Sequence, residues 1–149
     1  MTPANTMPAS APEPVSLDLD DAIFHDSAEY VVKHPVTGAP TTTRIALASP
    51  VHPLRVAFRQ AKQRAVQKAM QLDGSYTLPD PVDAEADEVE YLARSTLGWT
   101  HVVVGGQEIP YSHDAACKFY ADPRRHWLRS QVRAALEAQE LFIGGSARA

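Results

Sequence analysis

A chain of 149 residues, 44% hydrophobic and 21% charged with a net charge of −4, has the size and composition of one soluble domain with tails. It contains no apolar run near the ~20 residues of a membrane span, and no basic segment followed by an apolar core to direct secretion. Its single cysteine excludes an internal disulfide and any cysteine-rich zinc module.

The charge is strongly segregated. Residues 13–29 carry acids with no Lys or Arg, and residues 73–90 are acidic again. Between them, residues 54–72 carry Arg55, Arg59, Lys62, Arg64 and Lys68 with no acid. Such blocks are suited to pair with one another or with a partner.

Residues 1–27 begin with a Pro/Ala-rich stretch that has prolines at 3, 8, 12 and 14 and no periodicity. Small residues and prolines bury too little surface to offset the entropy of ordering, so a disordered arm is expected there. A single domain is expected over 28–143 and a flexible tail over 144–149. Tyr30–Val32 and the alternating Thr43, Ile45 and Leu47 predict two strands joined by a turn, with Pro35 fixing φ and Gly38 closing it.

Pro50 and Pro53 end the second strand and open a helix. Over 54–72, Leu54, Phe58, Ala61, Ala65, Ala69 and Leu72 form one narrow apolar stripe suited to a core, and Asp73-Gly74 stops it. Val66 and Met70 lie off that stripe. Pro79 and Pro81 predict a loop, after which Asp83 is the expected N-cap of an acidic helix with Val89, Leu92, Ala93, Thr96 and Leu97 inward and Gly98 at its end.

Gly105-Gly106 predicts a tight hairpin in THVVVGGQEIPY. Two helices follow, the first over about 115–120. The second is capped by Asp122-Pro123 and runs to about Phe142, with Leu128, Val132, Ala135 and Phe142 on one side. The expected fold is therefore mainly α with small β-hairpins (α+β): four helices, an N-terminal hairpin, and a Gly-Gly hairpin before the last two helices.

The stretch YSHDAAC, residues 111–117, places Ser112, His113, Asp114 and Cys117 together. Adjacent side chains project in different directions, so Ser112-His113-Asp114 cannot form a relay among themselves. The plainer role for Ser112 is an N-cap, with Asp114 complementing the helix dipole. His113 and Cys117, four apart, share a helix face as metal ligands do, but two ligands do not make a structural zinc site. A buried small thiol is the commoner fate of a lone cysteine. No catalytic, cofactor-binding or metal-binding residue is expected, and no enzymatic activity.

The run DEVEYLARSTLGWTHVVVGGQEIPYSHDAACKFYADPRRHWLRSQVRAALEAQELF resembles the tail assembly chaperones of long-tailed bacteriophages. The shared features are an acidic helix ending in Leu97-Gly98-Trp99, a glycine hairpin, and Pro110-Tyr111-Ser112 opening a helix. Tyr120-Ala121-Asp122-Pro123 with Trp127 follows, then Gln131-Val132 and Phe142. HPVTGAPT and the Thr-rich strand fit the same family, so the resemblance covers roughly residues 28–143.

It implies a non-enzymatic protein of the host cytoplasm, absent from the mature virion. Such a protein binds the tape measure protein and yields it to the major tail tube protein. The family also implies a longer, frameshifted form of the chain itself. A chaperone needs apolar surface with polar rims, which makes Val66, Met70, Arg59 and Lys62 candidate partner-binding residues, with Trp127 and Leu141 on the last helix as weaker ones. The alternatives are a small nucleic-acid-binding regulator using the basic helix 54–72, and a structural tail or connector subunit.

Overall fold

A computed structural model of the chain describes residues 12–143. The N-terminal end of the expected arm and the whole tail 144–149 lie outside the described residues. The described chain is fastened to the body from Phe24 onward. Phe24 bridges Ile143, the His25 N–H donates to the Phe142 carbonyl at 2.8 Å, and the Ser49 N–H donates to the Asp26 carbonyl at 2.9 Å.

Strands β1 (Ser27–Lys33) and β2 (Pro40–Ala48) form an antiparallel hairpin with Tyr30 opposite Ile45. Gly38, at φ +73°, closes its turn, donating its N–H to the His34 carbonyl. Helices α1 (Pro53–Asp73), α2 (Pro81–Ser95), α3 (His113–Ala121) and α4 (His126–Glu137) complete an α+β fold. The core brings Ile45 and Leu47 of the sheet against Leu92, Tyr120, Val132 and Leu136 of the helices. Within it the Tyr120 hydroxyl lies 2.8 Å from Thr96 Oγ1, which itself donates to the Leu92 carbonyl. Burial pushes the Tyr120 phenol far above its usual pKa, so it stays a neutral donor to Thr96.

Four sequence expectations are corrected. First, α2 ends at Ser95, and Thr96–Thr100 is a third strand, β3, on the far side of β2, with Trp99 opposite Ile45 and Gly98 opposite Ala46. The open edge of β2 supplies the hydrogen bonds that a further helical turn would otherwise make within itself. Gly98 is thus a strand residue and not a helix stop. The Gly-Gly hairpin is a separate pair, β4 (Val103–Val104) and β5 (Gln107–Glu108), with Gly105 and Gly106 at φ +59° and +80° as its turn demands.

Second, the N-cap of α2 is Asp80, whose carboxylate accepts from the Asp83 N–H at 2.9 Å. Pro81 occupies the first helical turn, where its missing N–H costs nothing. Third, Asp122 caps a 3-10 turn, Pro123–Arg125, and α4 itself runs only from His126 to Glu137; a second 3-10 turn, Gln139–Phe142, then swings Phe142 into the core, where it is fully buried. Fourth, no residue of α1 is buried, and Leu54 and Leu72 are 47% and 72% exposed. The stripe meant for the core has Ala at 61, 65 and 69, and alanine offers little apolar area to bury.

Candidate functional site

Two places in the fold concentrate unspent chemistry: the outer part of α1, and the junction of α2 with α3.

Among the described residues, the polar and aromatic contacts that fasten helix α1 to the body lie near its start. The His52 ring accepts the Leu54 N–H as N-cap. The Arg55 guanidinium donates to the Ala48 and Leu136 carbonyls, each at 3.2 Å, and to the Tyr91 hydroxyl at 2.9 Å. The Phe58 ring packs 5.2 Å from Tyr91, centroid to centroid. Arg55, counted in the sequence as one charge of a basic block, is therefore the bolt that joins α1 to β2, α2 and α4.

Beyond Phe58 the helix is mostly exposed. Arg59, Lys62, Arg64 and Lys68 form no ion pair among the described residues, and three of the acids of α2 are engaged elsewhere. Glu85 and Glu88 bind Arg129 and Arg133 of α4, and Glu90 binds Arg94. Val66 is half-buried, while Met70 is 49% exposed. Arg55, Arg59, Lys62, Val66 and Met70 recur at spacings of 4, 3, 4 and 4, so they lie along one side of the helix, which meets the body at Arg55 and is exposed at Arg59, Lys62 and Met70.

The weaker candidates separate from that group. Leu141 is half-buried and packs against the core. Trp127 lines a different hollow, of about 130 Å³, with Trp99, Val103, Phe119 and Arg125.

At the second place, the residues of YSHDAAC do not converge on one another. Ser112 is the N-cap of α3, its hydroxyl accepting the Ala115 N–H at 3.0 Å. Asp114 turns to Lys118, 3.2 Å away. His113 and Cys117 do share a face, with Nε2 and Sγ 3.5 Å apart.

The packing of α2 on α3 adds a third group that sequence spacing could not supply. Glu90 lies with Oε1 3.7 Å from His113 Nε2 and Oε2 3.9 Å from Cys117 Sγ. Arg94, one turn along α2, donates to Glu90 Oε1 at 2.6 Å and holds that carboxyl below its usual range. Burial, and then the negative charges of Glu90 and Asp114, push the Cys117 thiol up. A nucleophilic cysteine needs the opposite shift, so the cluster does not activate Cys117 as a thiolate nucleophile.

Among the described residues, no helix is long and apolar enough to cross a membrane. Comparison with known proteins brought no match: no protein-family model, no curated protein and no solved structure is significantly similar to this chain.

Proposed function

We propose that this protein is a tail assembly chaperone of the kind made by long-tailed bacteriophages. It binds the tape measure protein in the host cytoplasm, keeps it soluble, and releases it as the tail tube forms. The sequence resemblance over residues 28–143 supplies the family. The observation that carries the mode of action is the state of α1, a 21-residue helix with no buried residue. Beyond Phe58 its apolar side chains are exposed or at most half-buried, among cations that form no ion pair among the described residues.

A helical client with apolar and acidic positions is the partner that such a surface suits: Met70 adapts to varied side chains, and Arg59 and Lys62 meet the acids at the rim. Modest apolar area keeps the complex reversible, as release to the tube requires.

The test is co-expression with the tape measure protein followed by recovery of soluble complex. Val66→Asp with Met70→Asp should cut recovery at least about tenfold, the effect of 1.4 kcal/mol in binding, while circular dichroism stays unchanged. Undiminished recovery with an intact fold removes α1 as the docking element. A protein found in purified particles would instead be a structural tail subunit.

A second reading has one observation in its favour, the four cations of α1 that form no ion pair among the described residues. Duplex DNA bound through them would lose affinity steeply with salt, with a log–log slope of about −3 to −4. The net charge of −4 opposes this, because the rest of the molecule repels phosphate.

A further inference from the structure

From the convergence of Glu90, His113 and Cys117 at the junction of α2 and α3, we infer a zinc-binding site, independent of the chaperone reading. One carboxylate oxygen, one imidazole nitrogen and one thiol sulfur lie within 4.8 Å of one another. Sulfur, nitrogen and oxygen together are the donor set that suits Zn2+, a borderline-soft ion with no preferred geometry of its own. Around a tetrahedral Zn2+ with ordinary bond lengths, neighbouring donor atoms stand about 3.3–3.6 Å apart. Cys117 Sγ and His113 Nε2 already stand 3.5 Å apart, while the two oxygens of Glu90 reach them separately, Oε1 at 3.7 Å from the nitrogen and Oε2 at 3.9 Å from the sulfur, so the three groups converge on one face of that tetrahedron and a turn of the carboxylate would bring one oxygen to both.

The elements that hold them are well anchored. His113 and Cys117 stand one turn apart on α3, whose first turn is fixed by Ser112 and whose inner face is pinned by the buried Ala116 and Tyr120. Glu90 follows the buried Val89 on α2. Its two oxygens divide the work. Oε1 keeps the Arg94 guanidinium, the kind of outer partner that orients a ligating carboxylate, and Oε2 faces the thiol.

An open hollow of about 370 Å³ lies against Glu90 and Cys117, bordered by Val82, Glu85, Ala86, Val89 and Ala121. It leaves room for water or an outside ligand at the fourth position. Binding displaces the thiol proton and replaces it with a cation, which relieves the crowding of Cys117 by Glu90 and Asp114. The bound ion would clasp α3 to α2.

The full chain is titrated with Zn2+ by calorimetry and, separately, with Co2+ by absorption spectroscopy. One ion per chain is expected. Cobalt should show a thiolate-to-metal charge-transfer band in the near ultraviolet and the intense visible bands of a four-coordinate ion. Cys117 is the only cysteine, so that band assigns the sulfur ligand without any variant. His113→Ala and Glu90→Gln should each weaken Zn2+ binding by about 100-fold or more, while Cys117→Ser abolishes the charge-transfer band. The inference is overturned if wild-type protein gives no such band. It is equally overturned if the His113 and Glu90 variants, folded by circular dichroism, bind Zn2+ as the wild type does. Should a variant fail to fold, the wild-type cobalt spectrum decides alone.

Discussion

Helices α1 and α4 look alike as strings of letters, since each places apolar residues at spacings of three and four. In the fold they meet opposite fates. Of the twelve residues of α4, Arg129, Val132, Ala135 and Leu136 are buried; of the 21 in α1, none is. Periodicity states which side of a helix is apolar, and area decides whether that side is worth covering. The α4 face is built from Leu128, Val132 and Leu136. The middle of the α1 stripe is alanine, which sustains a helix without offering a core much to hold.

The sharpest way to break this contrast is to truncate one apolar side chain in each region. Phe142→Ala, in the turn that extends α4, should cost about 3–5 kcal/mol in urea unfolding. Leu72→Ala, 72% exposed at the tip of α1, should stay within about 0.5 kcal/mol. Similar costs at the two sites would mean that α1 is packed after all.

Next in size is the bolt between the regions. Arg55→Ala leaves the carbonyls of Ala48 and Leu136 without this donor and should cost about 1–3 kcal/mol. Hydrogen exchange should then rise along the start of α1 while the amides of α4 remain protected. Uniform protection would show that Phe58 and His52 hold the helix unaided.

The smallest effect concerns the entry to α4. Asp122 accepts the Arg124 N–H at 2.9 Å and contacts the Arg124 and Arg125 guanidinium groups. These hydrogen bonds, Arg124 first, hold its carboxyl below the usual carboxylate range. A carboxyl with a lowered folded-state pKa adds stability that is present in full above its unfolded value and disappears as pH falls through the folded one. Wild type should therefore exceed Asp122→Asn in stability at neutral pH and lose that lead on acidification below the ordinary carboxylate range. A gap that does not change with pH would show that the charge contributes nothing beyond the cap.

Local chemistry was readable from the letters wherever a few neighbouring residues decide the outcome. Ser112 caps α3, Gly74 ends α1 in the left-handed region, and Gly105-Gly106 turns the hairpin, each for reasons confined to one turn of chain. The misplaced start of α2 is of the same kind. Both Asp80 and Asp83 are competent caps, and Pro81 favours the first of them.

What escaped was long-range. Thr96–Thr100 is a strand because β2 has an edge to offer. Arg55 is a bolt because carbonyls from β2 and α4 meet at its guanidinium. Glu90 joins His113 and Cys117 only because α2 packs on α3, and no spacing in the chain encodes a contact between residues 27 positions apart.

The order of residues by itself determined that four helices form, the Ser112 cap, the glycine turns and the strands of the first hairpin, since these follow from backbone sterics and hydrogen bonds closed within a few residues. Tertiary structure alone decided which apolar face is covered, which charges are spent in pairs, and which side chains from separate helices converge. Those outcomes depend on the area and the partners that the rest of the molecule brings, and both exist only once the chain has folded.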